Sequence, residues 1–203
     1  MYYIAGNGGF SKELLDQLFD EINIKDFGGF LVIADDKLLH IGKHGVSDFN
    51  YPENAKFVIG TTKIAWRQKF INSILKRYPA DTNTFPNMVA KSAHISKAAT
   101  VGVGNVFGIN SAVSGDPNIG NFNCISAFAF VGHDVSIGNN NVLHPYACIM
   151  GGSSILNDNV IESKGVISDS IKILSNNTVS AGECVFEHMT NNMLFQSGIQ
   201  QNK

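Results

Sequence analysis

Six histidines are the side chains of this 203-residue chain best suited to move a proton near neutral pH. His133 stands out among them, in the hexapeptide Val131-Gly132-His133-Asp134-Val135-Ser136. Asp134 follows it directly and is placed to fix the imidazole tautomer and stabilise its charged form, as a general base requires. Counting eighteen residues either way puts Gly115 and Gly151 in its column, and glycines above and below a histidine leave open space for a ligand. The plainer alternative is an exposed turn histidine. His144 falls on the third face of the same coil, stacked under Glu162, and cannot join His133 within one subunit. His40 and His44, in LLHIGKHG, read as surface loop residues, and His94 and His188 as caps of the repeat region.

The count of eighteen comes from the element that must carry these residues. From Val89 to Val185 every sixth residue is a branched aliphatic or Phe, seventeen positions in one register with no insertion. A period of six matches neither a helix nor a coiled coil and reads as a hexapeptide β-helix. Three repeats make one triangular coil, so seventeen give nearly six coils, a prism about 27 Å long at strand spacing. The fifth position is small or turn-forming, as at Ala93, Asn105, Ser111, Asn123, Ala129 and Asn141, and is assigned to the turns. The sixth position points outward in three columns. Val106, Cys124, Val142, Val160 and Thr178 form one; Ala112, Phe130, Cys148, Val166 and Cys184 form the second; Thr100, Asn118, Ser136, Ser154 and Lys172 form the third. Two apolar columns and one polar one suit a subunit with two neighbours in a closed ring, a homotrimer, against the alternative of scattered surface hydrophobes.

Residues 1–84 lack the period and alternate strand and helix: YYIAG, then the helix SKELLDQLFDEI, the strands GGFLVIADD and AKFVIG, and the helix TKIAWRQKFINSILKRY. This order predicts a small parallel, half-Rossmann-like α/β domain over 1–84, followed by the prism and an exit loop over 85–203. A ligand crevice belongs at the carboxyl ends of such strands. Gly6-Asn7-Gly8-Gly9-Phe10-Ser11, Asp35-Asp36 and Gly60-Thr61 all fall there. Glycines allow close backbone approach to a phosphate, and a carboxylate after the second strand is placed for a ribose or a base edge. The alternative is that the glycines only permit tight turns and Asp36 caps one.

Composition narrows the class further. A net charge of −2 gives no sign of a nucleic-acid binder. Neither a basic leader nor an 18-residue apolar run is present, so no secretion signal or membrane span is expected and the cytoplasm is the default. The three cysteines sit in the outward columns, with Cys148 and Cys184 about 10 Å apart, too far for a disulfide. Free thiols suit a reducing compartment.

The segments IAGNGGFSKEL, VIADD, VIGTTKIAWRQKF, MVAKSAHISKAATVG, GHDVSIGNNNV and AGECVFEHMTNNMLFQSG together resemble the left-handed β-helix sugar acyltransferases. Within that group they are similar to the sialic acid O-acetyltransferase and UDP-4-amino-sugar N-acetyltransferase subgroup, over nearly the whole chain. The resemblance implies acetyl-CoA in a groove between neighbouring prisms and a nucleotide-linked sugar on the N-terminal domain. It implies His133 as general base, Asp134 as its orienter, Gly151 as N–H donor to the thioester oxygen, and Ser163 and Ala181 along the CoA groove. It places Gly8, Gly9, Phe10, Asp35, Asp36 and Gly60 at nucleotide-contacting positions. Some relatives carry a second histidine where this chain has Val142, so a CoA or substrate contact there is lost or passes to another residue, with His144 as a candidate. Glu162 and Asp169 are unusually acidic for residues beside a polyanionic cofactor.

The leading expectation is therefore acetyl transfer from acetyl-CoA to the amino group of a nucleotide-linked 4-amino sugar for surface glycan biosynthesis. O-acetylation of a sialic acid or related sugar comes second, because one prism hosts several activities. A non-catalytic nucleotide-sugar-binding trimer comes third. A trimeric zinc carbonic anhydrase needs three converging histidines, and only His133 and His144 are placed for that; no metal is expected.

Overall fold

The computed structural model describes residues 1–19, 24–42 and 44–202. The chain divides into two compact units, Met1–Met88 and Val89–Lys203.

The first unit is built on β1 (Tyr2–Ala5), α1 (Gly9–Phe19), β2 (Phe27–Ala34), β3 (Lys37–Gly42), β4 (Gly45–Asp48), β5 (Lys56–Ile59) and α2 (Ile64–Leu75). Residues 20–22, the end of the expected first helix, lie outside the described residues. The sheet order is β4-β3-β2-β1-β5, with β1 parallel to both β2 and β5. β1 is the central parallel strand, and Tyr3, Ile4 and Ala5 are all buried, as expected for a strand covered on both faces.

The antiparallel extension β2-β3-β4 is added to the expected parallel core. Ala34 pairs with Lys37, leaving Asp35 and Asp36 as a two-residue turn with φ of 49° and 57°, the form in which both central residues are left-handed. This corrects the reading of His40, which is a residue of β3 and not of a surface loop. Its Nε2 lies 2.6 Å from the Gly28 carbonyl, and its ring meets Tyr3 edge-on at 5.7 Å. The alternation of Leu38, His40 and Gly42 around Lys37, Leu39 and Ile41 was too short and too glycine-flanked to read as a strand. His44 lies exposed in the following turn.

The second unit is the prism. Its two-residue strands pair in parallel at steps of eighteen, as in Ala112↔Phe130↔Cys148↔Val166↔Cys184. Inward aliphatics such as Ile125, Val131, Leu143, Ile149, Ile161 and Ile167 are completely buried and form one continuous core. The step shortens to sixteen in the last coil, where Ile173 meets Met189 and Val179 pairs with Phe195. An antiparallel hairpin, Met193–Gln196 with Ile199–Asn202, follows.

The corners correct the role given to the fifth position. Positive φ falls on the fourth residue of the repeats, at Phe122, Phe128, Asp134, Asn140, Tyr146, Asp158 and Ser170, between 56° and 60° for most and 65° at Tyr146. The fifth residues are instead buried, as at Asn123, Ala129, Asn141, Ala147 and Ser153. Smallness there serves interior packing at the corner. On one corner it also serves a buried ladder: Asn105, Asn123, Asn141 and Asn159 each accept, at Oδ1, the backbone N–H one coil on at 2.8 to 2.9 Å. Left-handed backbone at a non-glycine residue costs about 1–2 kcal/mol, so the repeated corner geometry needs such compensation.

Candidate functional site

Each side chain of the His133 constellation is set by the stacking of one corner. Gly152 N–H donates to the His133 carbonyl at 3.0 Å, and Ser170 N–H to the Gly151 carbonyl at 2.9 Å, so residues 133, 151 and 169 lie directly in line. Asp134 is held in the left-handed region at φ 58°, which turns its carboxylate back on its neighbour. His133 Nδ1 and Asp134 Oδ2 are 2.7 Å apart, and both side chains are open to solvent, at 70% and 66% exposure. Below them the corner changes form. Pro117 disfavours a helical or left-handed residue before it, so Gly115 takes the positive φ of 75° in place of Asp116. Asp116 Oδ1 then accepts the Asp134 N–H at 3.3 Å.

The glycines do not leave an empty slot beside the histidine, as the sequence suggests; the histidine fills it. A Cβ at Gly151 would lie 2.7 Å from both Cε1 and Nε2 of His133, and one at Gly115 would lie 2.6 Å from the His133 Cβ. The imidazole thus rests on bare backbone with its Nε2 edge over Gly151. The Gly151 N–H donates to no acceptor among the described residues. The hydrogen bond and charge of Asp134 raise the His133 pKa above the usual histidine value; desolvation opposes them weakly, and the charges of Asp169 and Asp116 add to the rise. Among the described residues no group of three or more His, Cys, Asp or Glu is placed to hold a metal ion. Burial pushes the Cys148 thiol up, with Asp169 and Cys184 adding to the effect, which disfavours a thiolate nucleophile.

The remaining candidates of the prism gather at another corner. Ser163 and Ala181 stack there, joined by Gly182 N–H to the Ser163 carbonyl at 3.0 Å. Glu162 Oε2 accepts the Ala181 N–H at 3.1 Å. His144 precedes this corner, stacked under Glu162, and burial lowers its pKa while the Glu162 charge opposes the shift. Val142 is fully buried. One chain therefore unites His133, Asp134 and Gly151, and separately His144, Ser163 and Ala181.

In the first unit a crevice of about 470 Å³ opens at the carboxyl ends of β1, β2 and β5. Gly8, Gly9, Phe10 and Gly60 line it, together with Asn7, Thr61, Thr62, Lys63, Trp66 and Phe70. Ser11 ties its two loops together, accepting Gly8 N–H at 3.2 Å and donating to the Gly60 carbonyl at 2.7 Å. The fully buried Arg67 donates from Nη1 to the Thr61 carbonyl at 2.7 Å, which steadies the opposite rim. Gly6 is required by the fold, since at φ 136° its Cβ would stand 2.7 Å from the Gly60 carbonyl oxygen. A Cβ at Gly8 or Gly9 would meet nothing within 4 Å, so the space at those two glycines faces the crevice. Asp35 and Asp36 do not line it. They form the β2-β3 turn, and Asp36 borders a separate cleft with Lys76 and Arg77. Sequence reasoning missed Lys63 and Trp66; the signal was a polar Thr-Thr-Lys run leaving β5 and a tryptophan 41% exposed within the first turn of α2.

Comparison with solved structures places this architecture among known ones. PerB from Caulobacter crescentus, in complex with CoA and GDP-perosamine, superposes with a TM-score of 0.76 at 19% identity, over 95% of this chain and 92% of that one. The acetyltransferase domain of PglB from Neisseria gonorrhoeae FA1090, in complex with acetyl coenzyme A, gives 0.76 at 16% identity, over 100% and 98%. WeeI from Acinetobacter baumannii AYE gives 0.81 at 17% identity, over 99% and 98%. These likenesses establish the fold, a small α/β unit followed by a left-handed β-helix of about six coils. No family model matches the chain, and no curated protein matches it in sequence. No helix among the described residues is long and apolar enough to cross a membrane.

Proposed function

We propose that this chain is an acetyl-CoA-dependent N-acetyltransferase that acts on the amino group of a nucleotide-linked 4-amino-deoxy sugar, in the cytoplasm, for surface glycan biosynthesis. The observation that carries this reading is His133 with its Nε2 edge over Gly151, whose N–H is unclaimed. A base and an oxyanion donor then flank a single point, where the carbonyl carbon of a thioester would sit. Nε2 takes a proton from the attacking amine while the Gly151 N–H receives the charge that develops on oxygen. A positioned base contributes roughly 10² to 10⁴ in rate, and one oxyanion donor about 3 kcal/mol.

The crevice of the first unit is the proposed nucleotide site. It offers glycine backbone at the start of α1, Lys63, and the apolar face of Trp66 for a base. Asp35 and Asp36 would belong to it only through a movement of their turn. Of the structural neighbours, PerB is in complex with CoA and GDP-perosamine and the PglB domain with acetyl coenzyme A, ligands of the same chemical classes.

The reading includes a homotrimer. His133 and Gly151 stand at one corner and Ser163, Ala181 and His144 at another, so a CoA groove using both sets takes one from each of two copies. The outward column Phe130, Cys148, Val166 and Cys184 between those corners is partly exposed, and Phe128 and Tyr146 stack on its flank at 4.9 Å. Val106, Cys124 and Val142 of the other apolar column are buried in the single chain, so the second column is the one offered to a neighbour.

A thiol-release assay with acetyl-CoA against UDP-, dTDP- and GDP-linked 4-amino sugars, and against free and CMP-linked sialic acid, tests the reading. Transfer to an amino-sugar nucleotide supports it. Transfer only to a sialic acid hydroxyl would replace it with O-acetylation, and no transfer at all would favour a binding scaffold.

A further inference from the structure

The corner that bears His133 reads, at steps of eighteen, Gly115, His133, Gly151, Asp169. Coils about 4.8 Å apart put the Asp169 Cα about 10 Å from that of His133. The imidazole crosses the first half of that interval, because Cε1 and Nε2 are the His133 atoms nearest to any side chain at Gly151, both 2.7 Å from its Cβ position. Nε2 therefore stands about one coil short of Asp169, and glycine places no side chain between them. An atom hydrogen-bonded to Nε2 at about 3 Å can meet the Asp169 carboxylate on its far side. Asp169 is exposed and makes no hydrogen bond or ion pair among the described residues. No hydrogen bond or ion pair among the described residues therefore uses it for the fold, and its negative charge is ill suited to a polyanionic cofactor.

We propose that Asp169 selects the acceptor: its carboxylate holds the ammonium group of the amino sugar beside His133 Nε2 and thereby favours an amine over a hydroxyl. This rests on the amine-acetylation reading given above. The charges that reach the imidazole, from Asp134, Asp169 and Asp116, are all negative. Such a field concentrates a cation, and it opposes the negative charge that a hydroxyl oxygen would gain on losing its proton.

The steps balance as follows. The bound ammonium releases one proton to solvent. The nitrogen lone pair then forms the C–N bond at the thioester carbon, the carbonyl pair moves to oxygen beside Gly151 N–H, and the nitrogen becomes positive facing Asp169. An N–H proton passes to His133 Nε2. The oxygen pair re-forms the carbonyl, the C–S bond breaks with its electrons on sulfur, and the proton on Nε2 is delivered to the sulfur. The sum is an ammonium and a thioester giving an amide, a thiol and one proton.

The test is steady-state kinetics of full-length wild type, Asp169→Asn and Asp169→Glu on one amino-sugar nucleotide accepted by wild type. For Asp169→Asn the acceptor KM is expected to rise about fivefold, the upper range for an exposed ion pair, with kcat changing less. The wild-type KM should rise with ionic strength, and that of Asp169→Asn should rise less steeply. Asp169→Glu should keep the salt dependence. An unchanged KM and unchanged salt dependence in Asp169→Asn would overturn the assignment of Asp169 and leave amine acetylation standing. Wild-type transfer to hydroxyls alone would overturn both.

Discussion

Two corners of the prism share one backbone and put it to opposite uses. Except at Pro145, the third residue of each repeat has an N–H that no backbone carbonyl among the described residues accepts. At the asparagine corner a side chain from the next coil takes it: Val103 N–H donates to Asn121, Asn121 to Asn139, Asn139 to Asn157, and Asn157 to Ser175. The buried asparagines run beside this ladder in the opposite sense, so its inner rungs are saturated and only Asn177 Nδ2, at the last rung, lacks a partner among the described residues. At the His133 corner the equivalent N–H of Gly151 is left open, and the equivalent side chains are glycine, histidine, glycine and aspartate. The same donor is thus paired at one corner and left open at the other, where the proposed function makes it a reagent. On that reading, reactivity sits where the fold does not use the donor for stability.

The comparison is broken most forcefully by His133→Ala. We expect kcat/KM for acetyl transfer to fall by about 10² to 10⁴ with an unchanged melting temperature, measured by thiol release and thermal unfolding. Retained activity would remove the imidazole from the chemistry. Gly151→Ala comes next: its methyl would stand 2.7 Å from Cε1 and Nε2, too close to coexist, so the ring must shift from its seat over the open N–H. A loss of about 10²-fold in kcat is expected, comparable to loss of an oxyanion donor; full activity would show that the ring need not lie there.

Asn141→Leu applies the opposite stress, at the saturated corner. It strips the acceptor from the buried Asn159 N–H and the donor from the part-buried Leu156 carbonyl. The cost is about 3 kcal/mol, read as a melting temperature lower by roughly 5–10 °C, with specific activity of the folded protein preserved. A variant as stable as wild type would deny the ladder its role.

Subtler still is the pH profile of Asp134→Asn. If His133 is the general base it must be neutral to act, and because Asp134 raises its pKa the acid limb of kcat/KM is expected at higher pH than an ordinary histidine would give. Removing the carboxylate charge should move that limb to lower pH; a fixed limb would mean that another group titrates. The smallest effect concerns His144. Burial lowers its pKa in the folded state, so its contribution to stability is complete above the unfolded value of about 6.5 and is lost as pH falls through the folded one. His144→Gln should flatten the pH dependence of unfolding just below neutrality, and an unaltered slope would assign that dependence elsewhere.

The repeat was legible because a triangular interior admits one residue per side and leaves the period no freedom; all strand pairings from residue 94 to 185 follow from it. The reason for the small fifth residues was not, since a turn and a crowded corner both reject bulk, and only φ separates them. The shortened last coil had no local marker, because Met189 and Phe195 become core residues only after two positions are lost. At the site, the His133–Asp134 pair and the Gly151 column could be counted from sequence. The seat of the ring on Gly151 could not, because a rotamer decides whether a glycine column holds a void or a side chain. Asp35 and Asp36 suit a ribose contact and a left-handed hairpin turn equally well by residue type, and the local pairing of β2 with β3 chose the turn.

The closing hairpin bears on self-association. A stack of parallel rungs ends in unpaired N–H and C=O groups that invite another stack. Here the strand Ile199–Asn202 runs against Met193–Gln196, and Glu183 fixes the turn between them by accepting Ser197 and Gly198 N–H at 2.8 and 3.1 Å. A rung of reversed polarity is a poor template for a further parallel one, so on this face of the prism the edge is blunted against stacking into a fibre.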